Sequence, residues 1–176
     1  MKFLKYIVLT ILFVGCNKEY LPLKTVNEVN LEKYSGLWYE IARLPNRFQE
    51  DCYGSTAEYK IIDETTIDVV NSCFEDSLSG ELTQASGTAF LEDPNENGKL
   101  EVQFFWPFRG DYWIIALDKQ NYDYVMVGTP SRKYLWILGR SQKFIKTVLD
   151  SLITYASENK FETDKLIFEK SIKLED

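Results

Sequence analysis

The chain has 176 residues, of which 45% are hydrophobic, 15% aromatic and 27% charged, a composition typical of one globular domain with a packed core. It contains no histidine, which excludes Ser-His-Asp and Cys-His catalysis, His-bearing metal sites and a haem with a proximal histidine. The formal charge of −7 argues against nucleic acid as a partner, because that class of binding needs clustered Lys and Arg. We therefore expect a domain without a metal site or cofactor.

The first fifteen residues have the pattern of a secretory signal peptide. Lys2 and Lys5 form a positive start, residues 6–14 form an apolar stretch too short to span a bilayer, and Gly15 precedes Cys16. Residues 13–16 resemble the lipobox of bacterial lipoproteins, in which the cysteine is lipidated and becomes the mature N-terminus. We therefore predict removal of residues 1–15 and lipidation of Cys16, with an uncleaved anchoring segment as the alternative.

The mature chain is predicted to be held to a membrane by its lipid rather than by its charge. Removal of residues 1–15 takes away two basic residues and no acidic one, which lowers the formal charge from −7 to −9 and disfavours anionic headgroups. Residues 16–30 are predicted to be a tether that precedes the folded domain. Asn17 after the cysteine is similar to the sorting signal of enterobacterial lipoproteins for the outer membrane, which implies a lipid-anchored protein there, at the periplasmic face.

Two cysteines remain once Cys16 carries a lipid. In an exported chain, Cys52 and Cys73 are expected to form a disulfide, because the compartment is oxidising. Two buried free thiols are the alternative. A catalytic thiol is disfavoured, because the chain has no histidine to activate it.

The chain from residue 36 onward is predicted to be a succession of short strands rich in β-branched and aromatic residues. The eight predicted strands cover residues 38–44, 55–62, 66–74, 82–91, 99–106, 111–117, 124–128 and 134–139. The turns between them are too short for crossover helices, so sequential strands are antiparallel neighbours. Because closure removes the two open edges, we predict an all-β fold over residues 31–176, an eight-stranded antiparallel up-and-down β-barrel with room for one small ligand. Residues 45–53 are predicted to lie over its open mouth.

After residue 139 the periodicity changes from two to three and four, which predicts one amphipathic helix with Ser141 as its N-cap. The apolar stripe consists of Phe144, Ile145, Val148, Leu149, Leu152 and Tyr155. The opposite face carries no strong basic cluster, so we expect the helix to pack on the outside of the barrel rather than on a membrane. Residues 166–169 are predicted to form a short final strand.

Several sequence blocks resemble the lipocalin family. Gly36 and Trp38 match its Gly-x-Trp signature, and Arg140 stands at the position of its closing arginine. Residues 38–44, 105–108, 111–118 and 134–140 resemble the bacterial outer-membrane lipocalins and apolipoprotein D. The resemblance covers about residues 30–170 and implies a lipocalin barrel that binds a small hydrophobic ligand such as a fatty acid or lysophospholipid.

The Gly-x-Trp signature and the closing arginine have a structural role by physical reasoning. Trp38 is large enough to plug the closed end of a small barrel. The guanidinium of Arg140 can lie flat on the Trp38 indole while it donates hydrogen bonds to backbone carbonyls. We therefore expect this pair to stabilise the fold and not to contact the ligand.

Strand alternation predicts which side chains line the chamber. If Trp38 points inward, then Leu44 shares that face, whereas Tyr39, Ile41 and Arg43 point outward. Tight hairpins then place alternate residues of the sixth to eighth strands on the inner side, and a slip of one residue would invert each assignment. The candidate ligand-binding residues are Glu40, Ala42, Tyr112, Ile114, Tyr124, Met126, Tyr134, Trp136 and Leu138.

A chamber of this kind favours a non-catalytic protein that binds, stores or transports a hydrophobic ligand. One alternative is an envelope interaction module whose barrel is filled by its own side chains. Another is an enzyme that modifies a lipid or carotenoid, which a reduced and reactive Cys52 or Cys73 would favour. The sequence leaves open whether two copies pair through the barrel mouth as a homodimer.

Overall fold

In the computed structural model, which describes residues 20–176, the eight predicted strands close into a barrel. The strands are β1 (Gly36–Arg43), β2 (Cys52–Ile61), β3 (Thr66–Glu75), β4 (Leu82–Leu91), β5 (Lys99–Phe105), β6 (Phe108–Leu117), β7 (Tyr124–Gly128) and β8 (Leu135–Gly139). Each strand pairs antiparallel with the next, and β1 also pairs with β8. The predicted eight-stranded antiparallel barrel is confirmed. The predicted signal peptide and Cys16 lie outside the described residues.

Short elements flank the barrel strands. They are α1 (Leu31–Tyr34), β9 (Lys143–Ile145), α2 (Lys146–Glu158), β10 (Ile167–Phe168) and β11 (Lys173–Glu175), with two single-turn 3₁₀ helices. The helix α2 packs outside the barrel and β10 pairs antiparallel with β1, which confirms both predictions. Within residues 20–176, no helix has the length and apolar character needed to cross a membrane.

The start of the helix differs from the prediction. Residues 143–145 are held extended because β9 pairs in parallel with β11, so the helix begins at Lys146 with Ile145 at the N-cap and no side-chain cap. Ser141 does not cap the helix, because its hydroxyl accepts a hydrogen bond from the backbone N–H of Lys143 at 3.1 Å. Phe144 keeps its predicted burial as part of β9.

The two ends of the barrel differ. Because connections in an antiparallel meander alternate between ends, Trp38 near the start of β1 and the preceding α1 mark the closed end. The opposite end, here called the mouth, is formed by residues 44–51, 76–81, 106–107 and 129–134. A disulfide between Cys52 and Cys73 joins β2 to β3 near the mouth, with Cα atoms 5.3 Å apart, and confirms that prediction.

Buried side chains form two clusters, one on each side of the barrel wall. The inner cluster surrounds Trp38 and draws on strands all around the barrel. The outer cluster lies between the wall and α2, whose Leu149, Leu152 and Ala156 belong to it. Strand residues therefore alternate between the inner and the outer cluster, as period-two geometry requires.

Residues 20–30, part of the segment predicted to be a tether, lie along the barrel. The backbone carbonyl of Leu21 accepts a hydrogen bond from Arg132 in the mouth connection 129–134. Leu23 is buried in the outer cluster, and the backbone N–H of Val26 donates to the carbonyl of Ile114 at 2.8 Å. The segment thus runs down the outer wall from the mouth to α1 at the closed end.

Candidate functional site

The closed end is sealed by Trp38 and Arg140. The Arg140 guanidinium lies 3.8 Å from the centroid of a Trp38 ring and donates to four backbone carbonyls, those of Lys33, Tyr34, Ser35 and Leu37, at 2.6–3.1 Å. The Trp38 indole N–H donates to the carbonyl of Tyr34 at 2.8 Å. These contacts fasten α1 across the closed end of the barrel. The sequence predicts the Trp38–Arg140 contact and the bonds to backbone carbonyls, but not the helix.

Three buried tyrosine hydroxyls meet above this seal. The Tyr112 hydroxyl lies 2.6 Å from that of Tyr34 and 2.7 Å from that of Tyr59. Burial raises the pKa of Tyr59 to about 12 and raises the pKa values of Tyr34 and Tyr112 well above their usual range. The three hydroxyls are therefore neutral at physiological pH and add polarity, without charge, to the deep part of the barrel.

A second polar network lies inside the mouth. One carboxylate oxygen of Glu40 accepts from Arg43 at 2.6 Å, and the other accepts from the side-chain amide of Gln49 at 2.8 Å. The Gln49 side-chain oxygen accepts from the Trp136 indole N–H at 2.9 Å, and its backbone carbonyl accepts from Arg43 at 2.7 Å. The connection 44–51 is thereby bonded to the barrel wall through Gln49.

The charges of this network are nearly removed from water. The side chains of Glu40 and Arg43 are 4% and 5% exposed, so both charges depend on their mutual contact. Burial raises the pKa of the Glu40 carboxyl, while the positive charge of Arg43 and the hydrogen bond from Gln49 oppose the rise. The Nε of Arg43 is buried and has no hydrogen-bond partner among residues 20–176, so one charged donor at the mouth is unused.

Several predicted chamber residues lie in the inner cluster. Tyr112, Ile114 and Leu138 are buried there, and Trp136 packs against the cluster from the mouth side. The ring of Tyr134 stacks on that of Trp136 with centroids 5.9 Å apart and also contacts Phe48 at 6.0 Å. The structure therefore brings one aromatic pair to the mouth and places aliphatic and tyrosine side chains below it.

Three predicted chamber residues face the other way. Ala42, Tyr124 and Met126 belong to, or pack against, the outer cluster, so the expectation that they line the chamber was wrong. The register of β7 against β8 is the cause for two of them. It pairs Val125 with Leu138 and Val127 with Trp136, one residue away from the pairing assumed.

A β-bulge explains the remaining orientation errors on β1. The pairing with β8 runs from Glu40 opposite Leu138 directly to Ala42 opposite Ile137, which leaves Ile41 as the extra residue. Beyond the bulge Arg43 pairs with Trp136 and reaches Glu40 inside the mouth, although strict alternation predicts that it points outward. Leu44 correspondingly lies in the outer cluster and not in the chamber.

Sequence reasoning missed four residues of these networks, Tyr34, Tyr59, Arg43 and Gln49. Tyr59 could have been found, because Trp38 pairs with Ala57 and alternation along β2 places Tyr59 on the same face. The roles of Arg43 and Gln49 depend on the bulge and on the path of the 44–51 connection, for which the sequence carries no local signal.

Comparisons with known proteins agree with this architecture. The family model described as "Lipocalin-like domain" matches residues 29–171. The outer membrane lipoprotein Blc of Vibrio cholerae is 35% identical over 162 residues, which cover 92% of this chain and 94% of that protein. Apolipoprotein D of Mus musculus is 32% identical over 145 residues, covering 78% and 74% of the two chains. Insecticyanin from the tobacco hornworm Manduca sexta has the same fold, with a TM-score of 0.68, 23% identity and 86% of each chain covered.

Proposed function

The chain belongs to the lipocalin-like family, and from that premise we propose that it is a non-catalytic carrier of a fatty acid or lysophospholipid at the outer membrane. The observation that carries the proposal is a barrel sealed at one end, with an apolar inner cluster below a polar mouth. That arrangement matches an amphiphile whose tail enters first.

The energy for such binding would come from the buried tail. Each methylene removed from water contributes about 0.8 kcal/mol, so ten methylenes supply about 8 kcal/mol, the size of a micromolar binding free energy before association costs. The polar end of the ligand would lie at the mouth, where Arg43 Nε offers a charged donor. A fatty acid carboxylate or a phosphate oxygen would accept from it.

Anchoring through Cys16 is part of the proposal. It is supported by the signal-peptide pattern of residues 1–15 and by relatives named as outer membrane lipoproteins in Vibrio cholerae and Escherichia coli. A non-catalytic role is supported by the disulfide, since Cys52 and Cys73 bond to each other and offer no free thiol. Glu40, the carboxylate in the mouth, is already paired with Arg43.

The first experiment is native mass spectrometry of a chain that begins at Asn17, with extraction of any lipid that copurifies. A titration with lysophosphatidylcholine, followed by tryptophan fluorescence, then gives the stoichiometry, with Trp136 at the mouth as the intended reporter. We expect saturation at one ligand per chain. No bound lipid and no fluorescence response over several chain lengths would contradict the carrier and favour an interaction module with a filled barrel.

Two matched substitutions locate the ligand. Val102 packs against the inner cluster and Val148 against the outer cluster, and both are partly buried. Val102→Phe adds bulk inside the barrel and should weaken binding about tenfold or more. The larger side chain would exclude part of the ligand tail, and the loss corresponds to the burial of about one or two methylenes. Val148→Phe adds the same bulk beside α2 and should leave affinity unchanged. Equal effects of the two substitutions would argue against a ligand inside the barrel.

A further inference from the structure

The mouth carries an unusual concentration of exposed apolar side chains. Trp106, Phe108, Phe105 and Phe48 are 85%, 76%, 73% and 61% exposed, although aromatic side chains of this size are normally buried at least in part. Leu78 and Leu82 are exposed at the same end. These six residues, here called the mouth rim, come from three of the four connections that form the mouth and from the strand ends beside them. Such a grouping at one end indicates a binding surface.

The chemistry of the mouth rim fits a lipid surface. Tryptophan and phenylalanine insert favourably into the interfacial region of a bilayer. The four mouth connections carry nearly balanced charge, with three basic residues against four acidic ones. These are Arg47, Arg132 and Lys133 against Glu50, Asp51, Asp76 and Glu81. Attraction to anionic headgroups therefore contributes little, and apolar insertion must supply the affinity.

The first described residues of the chain also lie at the mouth. Tyr20 lies beside Arg132, whose guanidinium is 5.1 Å from the Tyr20 ring centroid and also donates to the carbonyl of Leu21. Tyr20 lines a surface depression together with Pro45 of the mouth connection 44–51. Three residues lie between Tyr20 and Cys16, and the four residue steps from one to the other, at no more than about 3.6 Å each, span at most about 14 Å in any conformation. A lipid on Cys16 would thus hold the mouth, and not the closed end, close to the bilayer.

We propose that the mouth rim inserts into the bilayer that holds the anchor, so that the barrel opens directly onto the lipid surface from which it loads. This inference rests on the proposed function, because it assumes a lipid ligand and a lipidated Cys16. It adds an orientation: the barrel axis stands on the membrane with α1 and the Trp38 seal pointing away. Zwitterionic lipid suffices for docking, and anionic lipid weakens it through the charge of −9 on the mature chain.

The test uses the full lipidated chain reconstituted in phosphatidylcholine vesicles. Trp106 is expected to be quenched by bromine-labelled acyl chains, and the difference between the wild type and Trp106→Phe isolates its signal from the other three tryptophans. If Trp106 is instead quenched by aqueous iodide and untouched by brominated lipid, the rim does not insert and the proposal is overturned. A Trp106-dependent dimer in place of lipid contact would also overturn it, because the rim would then be an interface between copies.

A transfer assay separates this inference from the proposed function. The double variant Trp106→Ser, Phe108→Ser should load lysophospholipid from vesicles about tenfold more slowly than the wild type, while its affinity for ligand presented as monomer stays unchanged. Leu174→Ser, which removes a half-exposed apolar side chain from β11, is the control and should load normally. Normal loading by the double variant would refute docking through the mouth rim but would leave the carrier function standing. Failure of the wild type to bind monomeric lipid would refute the carrier function itself.

Discussion

Between pH 10 and pH 12 the free energy of unfolding of the wild type should decrease as Tyr59 loses its proton, and the substitution Tyr59→Phe should abolish this decrease. Burial raises the pKa of the Tyr59 hydroxyl to about 12 in the folded state, against about 10 in the unfolded chain. As the pH rises, the unfolded chain therefore loses this proton before the folded chain does. The contribution of Tyr59 to the free energy of unfolding is complete below pH 10 and is lost as the pH rises towards 12. Two pKa units correspond to ~2.7 kcal/mol in full, of which ~1.4 kcal/mol is lost by pH 11.

The measurement is urea unfolding at pH 8 and pH 11 of chains that begin at Asn17. At pH 8, Tyr59→Phe should cost about 1 kcal/mol through its lost hydrogen bond with Tyr112. At pH 11 the wild type should have lost ~1.4 kcal/mol that the variant keeps, because the variant has no Tyr59 proton to lose, so the difference in stability should vanish or slightly reverse. The control is Tyr39→Phe, next to Trp38 on the outward face of β1, which leaves the buried Tyr59 hydroxyl and its bond with Tyr112 intact and should lose as much stability as the wild type between pH 8 and pH 11. A gap of equal size at both pH values would refute the reasoning.

Three further predictions concern the seal, the mouth and the disulfide. Arg140→Met should lower the free energy of unfolding in urea by about 3 kcal/mol, since it removes the ring contact and the donors to four carbonyls. Lys143→Met, which breaks an exposed ion pair, is the control and should leave the free energy of unfolding nearly unchanged. Gln49→Ala should release the connection 44–51 from the barrel wall and raise the ligand dissociation rate in stopped-flow fluorescence, whereas an unchanged rate would mean that this connection does not gate the mouth. The double variant Cys52→Ala, Cys73→Ala should lose about 3 kcal/mol of stability, the chain-entropy value for a bridge with a sequence separation of 21.

The sequence predicts the architecture well because the barrel depends on features that are visible locally. The eight strands follow from β-branched and aromatic runs between turn residues, and closure follows from the need to satisfy two open edges. The Gly-x-Trp signature and Arg140 similarly identify the sealed end from the sequence alone. Each of these inferences requires only the order of residues along the chain.

Which side chains face the barrel interior depends on the register of strand pairing, which local patterns determine poorly. Alternation from Trp38 correctly places Glu40 inside, but the extra residue Ile41 reverses the rule, so Arg43 points inward and Ala42 outward. The same kind of irregularity lies between Ile114 and Ala116 on β6. A bulge of one residue exchanges the two faces of a strand, and no turn or composition signal marks where it occurs.

The pairing of β1 with β8 has a consequence for copies that share a membrane. An open eight-stranded sheet would present two long edges of unpaired backbone N–H and C=O groups to its neighbours. If the chain is anchored through Cys16 as proposed, the molecules are confined to two dimensions, which raises their local concentration and would favour strand-to-strand aggregation through such edges. Because β1 and β8 pair with each other, these edges are already occupied within each molecule. Closure would therefore protect an anchored form of the protein from cross-β assembly through β1 and β8 at high surface density.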